Sequence, residues 1–288
     1  MKKIYFLLAM LLTFSNIVWA NDLQVRHIRP ESATDLRNNY YIDMLCLALN
    51  KTSDIDGSAT LIMADKTMHQ NRAIEQLKQN KDIDVVWTMT STERETELQA
   101  VRIPLLKGLL GYRIFIIRSG EETRFADIQT LDDLKLLTAG QGAEWPDIKI
   151  LRANGIKVVT GIKYDGLFGM LQHKRFDYFP RGVNEAWAEV KAHPDKNLVV
   201  EKTLLLQYPA PIYFFVNKQN KELADRLERG LRIAIKDGSF AQLFKNHPAN
   251  KEAFELAKID KRKIFRLQNP LLPQATPLTE KALWYTPE

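Results

Sequence analysis

The stretch Ile83-Asp84-Val85-Val86-Trp87-Thr88-Met89-Thr90-Ser91-Thr92-Glu93-Arg94 decides how this 288-residue chain is read. Its first half, Ile83 to Trp87, is apolar apart from Asp84 and predicts a short buried strand. Its second half places the hydroxyls of Thr88, Thr90, Ser91 and Thr92 ahead of Arg94. Hydroxyls and backbone N–H groups at a strand end, followed by a guanidinium, make a cradle for a carboxylate, because the planar fork of arginine matches its two oxygens. A strand, a turn and an N-capped helix with a solvated arginine is the plainer reading of the same residues.

The N-terminus bears on the compartment. Lys2-Lys3, the apolar run Ile4 to Leu12 and Val18-Trp19-Ala20 have the order of a secretory signal peptide, with cleavage expected after Ala20. No cysteine stands at that site, so no lipid anchor is expected, and the mature chain is expected in the periplasm. Removing residues 1–20 takes away two lysines and no acid, which lowers the formal net charge from +6 to +4. The basic residues are interspersed with acids, which argues against a nucleic-acid surface, while a mild positive balance suits small anionic ligands. The single Cys46 excludes an internal disulfide and is expected to be buried on an apolar helix face.

Strand and helix signals alternate through most of the chain, which predicts an α/β fold. Strands are expected at Leu23–Ile28, Ala59–Met63, Gly111–Arg118, Phe176–Phe179 and Ile212–Val216. Helices are expected at Tyr40–Leu49, Arg72–Lys78, Glu185–Lys191 with Trp187 and Val190 buried, and from Leu223 to Ile235. Thr130-Leu131-Asp132-Asp133 reads as a capping box. The Pro-rich end, Asn269 to Glu288, argues against a long helix there.

Four blocks, in order, resemble family 3 periplasmic solute-binding proteins, most of which bind amino acids. They are Asp84 to Arg94, Thr130 to Gly142, Leu167 to Asp177 and Ile212 to Phe244. The resemblance implies a two-lobed type II periplasmic binding protein with two crossing hinge strands and a ligand in the cleft between lobes. It implies lobe one over 21–112 and 209–288, lobe two over 113–208, and closure by a hinge motion. It also implies a monomer without cofactor.

Carried onto this sequence, the resemblance implies that Thr90 or Thr92 and Arg94 hold the ligand's carboxylate from lobe one, and Thr88 in the same run is a further ligand-binding candidate. The backbone of Gln141 and Gly142, before the helix at Pro146, would bind from lobe two, although Ala143 replaces the family's usual hydroxyl residue. The acid that normally meets an amino acid's ammonium group is missing, and Arg181 is its neighbour. That departure leads to the expectation of a second anionic or strongly accepting group on the ligand, read by Arg181, with Glu185 as a possible substitute acid one turn later. Trp87, Tyr112, Trp145 and Phe179 are candidate cleft walls, though each also suits a core. Lys107 and Arg113 could add positive charge near the first crossing.

His27, His69, His173, His193 and His247 show no metal-ligand spacing, and no hydrolase, zincin or phosphate-loop motif is present. The leading expectation is therefore a non-enzymatic binding protein for a small carboxylated metabolite that serves an inner-membrane ABC permease. Two alternatives stay open. One is a ligand-sensing partner of a membrane signalling protein. The other is a periplasmic dehydratase of prephenate-like acids, for which Glu144 and Glu185 are the candidate acid/base groups.

Overall fold

In a computed structural model, residues 22–30 and 38–286 are described. The features read as a signal peptide lie outside the described residues. Twelve strands run along the described chain: β1 (Leu23–His27), β2 (Ala59–Met63), β3 (Val85–Met89), β4 (Leu98–Val101), β5 (Tyr112–Arg118), β6 (Thr138–Gly142), β7 (Lys157–Gly161), β8 (Phe179–Gly182), β9 (Leu198–Val200), β10 (Leu204–Gln207), β11 (Ile212–Asn217) and β12 (Lys263–Arg266).

Two sheets organise the molecule as two lobes. The first has the order β2-β1-β3-β11-β4, with β1 parallel to β2 and β3, and β11 antiparallel to β3 and β4. Every residue of β3 and of β11 is buried, because helices cover both faces of the sheet centre and no polar face is needed. The second sheet has the order β12-β10-β5-β8, and β9 also pairs with β5. The parallel pair β6-β7 attaches to it through a bridge between Ala139 and Tyr178.

The chain passes between the sheets from β4 to β5 and from β10 to β11. These two crossings touch: the Tyr208 amide donates to Gly111 O at 3.1 Å. A Cβ on Gly111 would sit 1.9 Å from the Tyr208 carbonyl oxygen, so only glycine allows this approach.

Several local expectations shift. The strand expected from Ile83 begins at Val85, because Asp84 is held sideways: its carboxylate accepts from Arg26 N, Nε and Nη2 at 2.8, 2.9 and 2.7 Å. That fork–fork pair joins β1 to β3. The strand expected over Phe176–Phe179 lies at Phe179–Gly182, which puts Arg181 in a strand rather than a loop, with Pro180 tolerated at the sheet edge. Cys46 is exposed, because the buried stripe of its helix runs through Tyr41, Met44, Leu45, Ala48 and Leu49. The helix Ala186–Ala192 buries Ala186 and Glu189 instead of Trp187 and Val190, since Glu189 pairs with Arg181. The capping box at Thr130 is present. β12 joins the second sheet, so part of the segment assigned to lobe one packs on the other lobe.

Gly111→Ala is expected to push the crossings apart and lower unfolding free energy by about 1–3 kcal/mol. Urea unfolding checks this; a change below about 0.5 kcal/mol would show that the contact is soft.

Candidate functional site

The strand ends of the first sheet open toward the second lobe, the position where open α/β sheets bind ligands. Ile28 and Arg29 follow β1, and Trp87, Thr88 and Met89 end β3. With Asn38, Tyr41 and Gln70 they form one wall of an inner cavity of about 130 Å³. Arg113, Trp145, Asp147, Arg181 and Glu185 form the opposite wall. A volume of this size is on the scale of a small solute's head group. An outer cavity of about 840 Å³ shares Ile74, Trp145 and Pro146 with the inner one and is lined further by Ser91, Thr92, Arg94, Lys149, Arg152, Pro270 and Leu271.

Each residue of the opening run has its own placement. Trp87 stacks on Tyr41 at 5.8 Å and donates from Nε1 to Asn38 Oδ1 at 2.9 Å. The Thr88 hydroxyl is buried at the inner cavity with no hydrogen-bond partner among the described residues. Thr90 turns away from the cleft and donates to Glu95 Oε1 at 2.6 Å. Ser91, not a threonine, caps the helix Thr92–Glu97 by accepting from the Arg94 amide. Thr92 is exposed at the outer cavity.

Arg94 is half-buried and faces the outer cavity. Its Nη1 donates to Met89 O at 2.6 Å and its Nη2 to Gln70 Oε1 at 2.5 Å. Both acceptors are neutral, and among the described residues Arg94 forms no ion pair. Burial pulls its pKa down to about 10, against the opposing pull of the Glu93 and Asp147 charges.

The facing wall has the opposite balance. Arg113 and Arg181 are each 2% exposed. Arg113 Nη2 donates to Asp147 Oδ1 at 2.6 Å and Nη1 to Glu185 Oε2 at 3.4 Å, while the Tyr208 hydroxyl also donates to Asp147. Arg181 donates from Nε and Nη2 to Glu189 at 2.7 Å and pairs with Glu185 Oε2 at 3.1 Å. Its guanidinium carbon lies 4.6 Å from the Trp145 ring centre and 5.0 Å from that of Phe179. The carboxylates raise both guanidinium pKa values against the opposing effect of burial, so both stay charged. Two guanidiniums thus face three carboxylates, a formal excess of one negative charge.

That arrangement corrects the expectation drawn from Arg181. The residue does line the inner cavity, but Glu189 and Glu185 occupy its donors, and it is not an uncompensated cation. Gln141 and Gly142 also differ from their expected role. Both lie in β6, paired with β7, so the sheet ladder holds their backbone. Gln141 lies outside both cavities, its Nε2 3.4 Å from Pro180 O. Gly142 borders a separate cavity of about 180 Å³, with the Trp145 ring against its Cα. Tyr112 and Phe179 pack in the core, and Lys107 sits at a left-handed turn position, away from both cavities. Glu144 reaches across the cleft and accepts from the Asn71 amide at 2.8 Å.

Sequence reasoning missed Arg29, Asn38 and Asp147. Arg29 had a usable signal, since it directly follows the first parallel strand. Asp147 reads in sequence as a helix-start residue, and its pairing with Arg113 is visible only in three dimensions. Among the described residues no group of three His, Cys, Asp or Glu could hold a metal, and no helix is long and apolar enough to cross a membrane.

No family model and no curated protein matches the chain. Solved structures do match it. An ancestral arginine-binding protein bound to arginine aligns over 77% of this chain and 96% of its own, at 21% identity and a TM-score of 0.56. A Salmonella typhimurium periplasmic binding protein with high arginine specificity aligns over 77% and 97%, at 17% identity and a TM-score of 0.56. An ancestral amino-acid-binding protein described as a precursor of cyclohexadienyl dehydratase aligns over 78% and 94%, at 13% identity and a TM-score of 0.54. At these identities the likeness establishes the fold, the two-lobed periplasmic-binding-protein architecture.

Glu189→Ala is expected to cost about 3–5 kcal/mol of stability by stripping a buried guanidinium of its main partner. Thermal and urea unfolding read this directly, and a loss under about 1 kcal/mol would mean that Glu185 alone compensates Arg181.

Proposed function

We propose that this protein binds a small zwitterionic solute, of the amino-acid type, in the cleft between its lobes and closes on it by a hinge motion. The observation that carries this is the charge pattern across the cleft. Lobe one presents a desolvated guanidinium, Arg94, that forms no ion pair among the described residues. Lobe two presents Asp147 and Glu185 at the inner cavity, within a cluster of three carboxylates, Glu189 lying behind, and two guanidiniums. A carboxylate at Arg94 and a cationic nitrogen at the facing wall would satisfy both.

Thr88 supplies an unused hydroxyl to the inner cavity. Among the described residues the contacts of Glu185, to Gly182 N, Arg113 and Arg181, all fall on Oε2, which leaves Oε1 for a ligand ammonium group. Trp87 and Trp145 would form apolar walls around the solute. In this reading the expected second anionic group on the ligand is replaced by a cationic one, because the negative excess sits beside Arg181.

The arginine-binding neighbours lend support to an amino-acid-like ligand. The resemblance to solute-binding proteins supports a periplasmic location and delivery to an ABC importer. For the dehydratase reading, Glu144 is already engaged across the cleft by the Asn71 amide, which leaves Glu185 as the one remaining candidate of that pair.

A thermal-shift screen of the twenty amino acids against matched dicarboxylates lacking nitrogen tests the reading. At least one amino acid is expected to stabilise the protein, and the dicarboxylates are not. Arg94→Ala is expected to weaken that binding roughly 10- to 150-fold, the worth of a charge-assisted hydrogen bond of about 1.5–3 kcal/mol. Glu185→Gln should weaken an amino acid more than its deaminated analogue. Dicarboxylate binding that ignores both substitutions would sink the proposal.

A further inference from the structure

The chain connects the lobes a third time, after the two crossings. Beyond β12, Leu267 N donates to Gln207 O at 2.8 Å, continuing the second sheet. Gln268 then makes a reciprocal pair with Asn154: Asn154 Nδ2 donates to Gln268 O at 2.8 Å, and Gln268 N to Asn154 Oδ1 at 3.1 Å. Asn154 closes the helix Asp147–Ala153, whose first residue belongs to the cleft wall of lobe two. Asn269 Nδ2 donates to Pro209 O at 2.7 Å, on the second crossing. Two residues later Leu271 O accepts from the Thr92 amide at 3.0 Å, at the start of the lobe-one helix that carries Arg94. The segment ends on the first crossing, where Tyr285 N donates to Lys107 O at 2.7 Å and the Trp284 ring covers Gly108.

Residues 267–271 therefore bond to lobe two, to a crossing and to lobe one within five positions. The span is short: five extended residues reach about 17 Å at most. Pro270 adds stiffness by fixing its own φ. Two of these residues, Pro270 and Leu271, line the outer cavity that Arg94 also lines. A hinge opening that carries Thr92 and Asn154 apart beyond that reach must break one of these attachments.

We propose that residues 267–271 are a strap that holds the two lobes together across the outer cavity, and that the cleft opens by releasing it. The strap makes lobe separation and loss of its hydrogen bonds one event, so it would set the rate at which solute enters and leaves. The mechanical part stands on hydrogen bonds alone; only the link to solute exchange rests on the function proposed above.

Amide hydrogen exchange and small-angle scattering on the ligand-free full chain test it. In Asn154→Ala, exchange at the Gln268 and Thr92 amides is expected to rise together, at least tenfold, and the radius of gyration to increase. Asn154 also donates to Ile150 O, so Asn154→Asp serves as a second variant that keeps the acceptor for Gln268 N. It should give a smaller rise at the same two amides. Faster exchange at Gln268 with Thr92 unchanged, or an unaltered radius of gyration in both variants, would overturn the strap. A protein that binds no amino acid would defeat the functional reading and leave this outcome intact.

Discussion

Two arginines almost wholly out of water, Arg113 and Arg181, set the terms for the cleft. An ion of this size costs several kcal/mol to desolvate even after the protein relaxes, and it survives burial only when paired and hydrogen-bonded. The partners come from different parts of the chain. Asp147 starts a lobe-two helix, Tyr208 lies on the second crossing, and Glu185 and Glu189 flank the start of another helix. Compensation of these two charges therefore fixes the cleft wall and ties it to the hinge. It also holds the Trp145 indole over Arg181, which places the partition between inner and outer cavities.

A wall satisfied in this way has no charge to spare for a ligand anion. What it has is one carboxylate too many. Lobe one provides the complement, because Arg94 is held by a carbonyl and an amide oxygen rather than by an acid. A guanidinium loses less when it meets a carboxylate after part of its water has already been removed, which is preorganisation in the ordinary sense. On the proposed reading, a zwitterion between the lobes would complement both.

The strap adds a mechanical condition. Hinged binding proteins need lobes that separate, and here five residues bond to both sides near the cleft mouth. Glu144 on the Asn71 amide and Lys149 near Glu93 at 3.7 Å add further contacts across the cleft. Each is modest alone, yet together they favour the lobes in contact before any solute arrives. Binding would then draw on a conformation already present rather than create it.

The sequence by itself determined the kind of fold. Alternating strand and helix signals, and four blocks in a fixed order, are local patterns that survive translation into one dimension. It also determined that Trp87 and Thr88 stand at a strand end and Arg94 in the helix that follows, since a strand followed by a capped helix is local geometry. The tertiary structure alone decided which charges remain available. Arg181 reads in sequence as a new cation, and only its packing against Glu189, eight residues away on a helix whose buried face differs from the expected one, removes that charge from the ligand's view. Asp147 and Arg113, thirty-four residues apart, meet for the same reason. Charge compensation is a sum over neighbours in space, and the order of residues along a chain does not contain that sum.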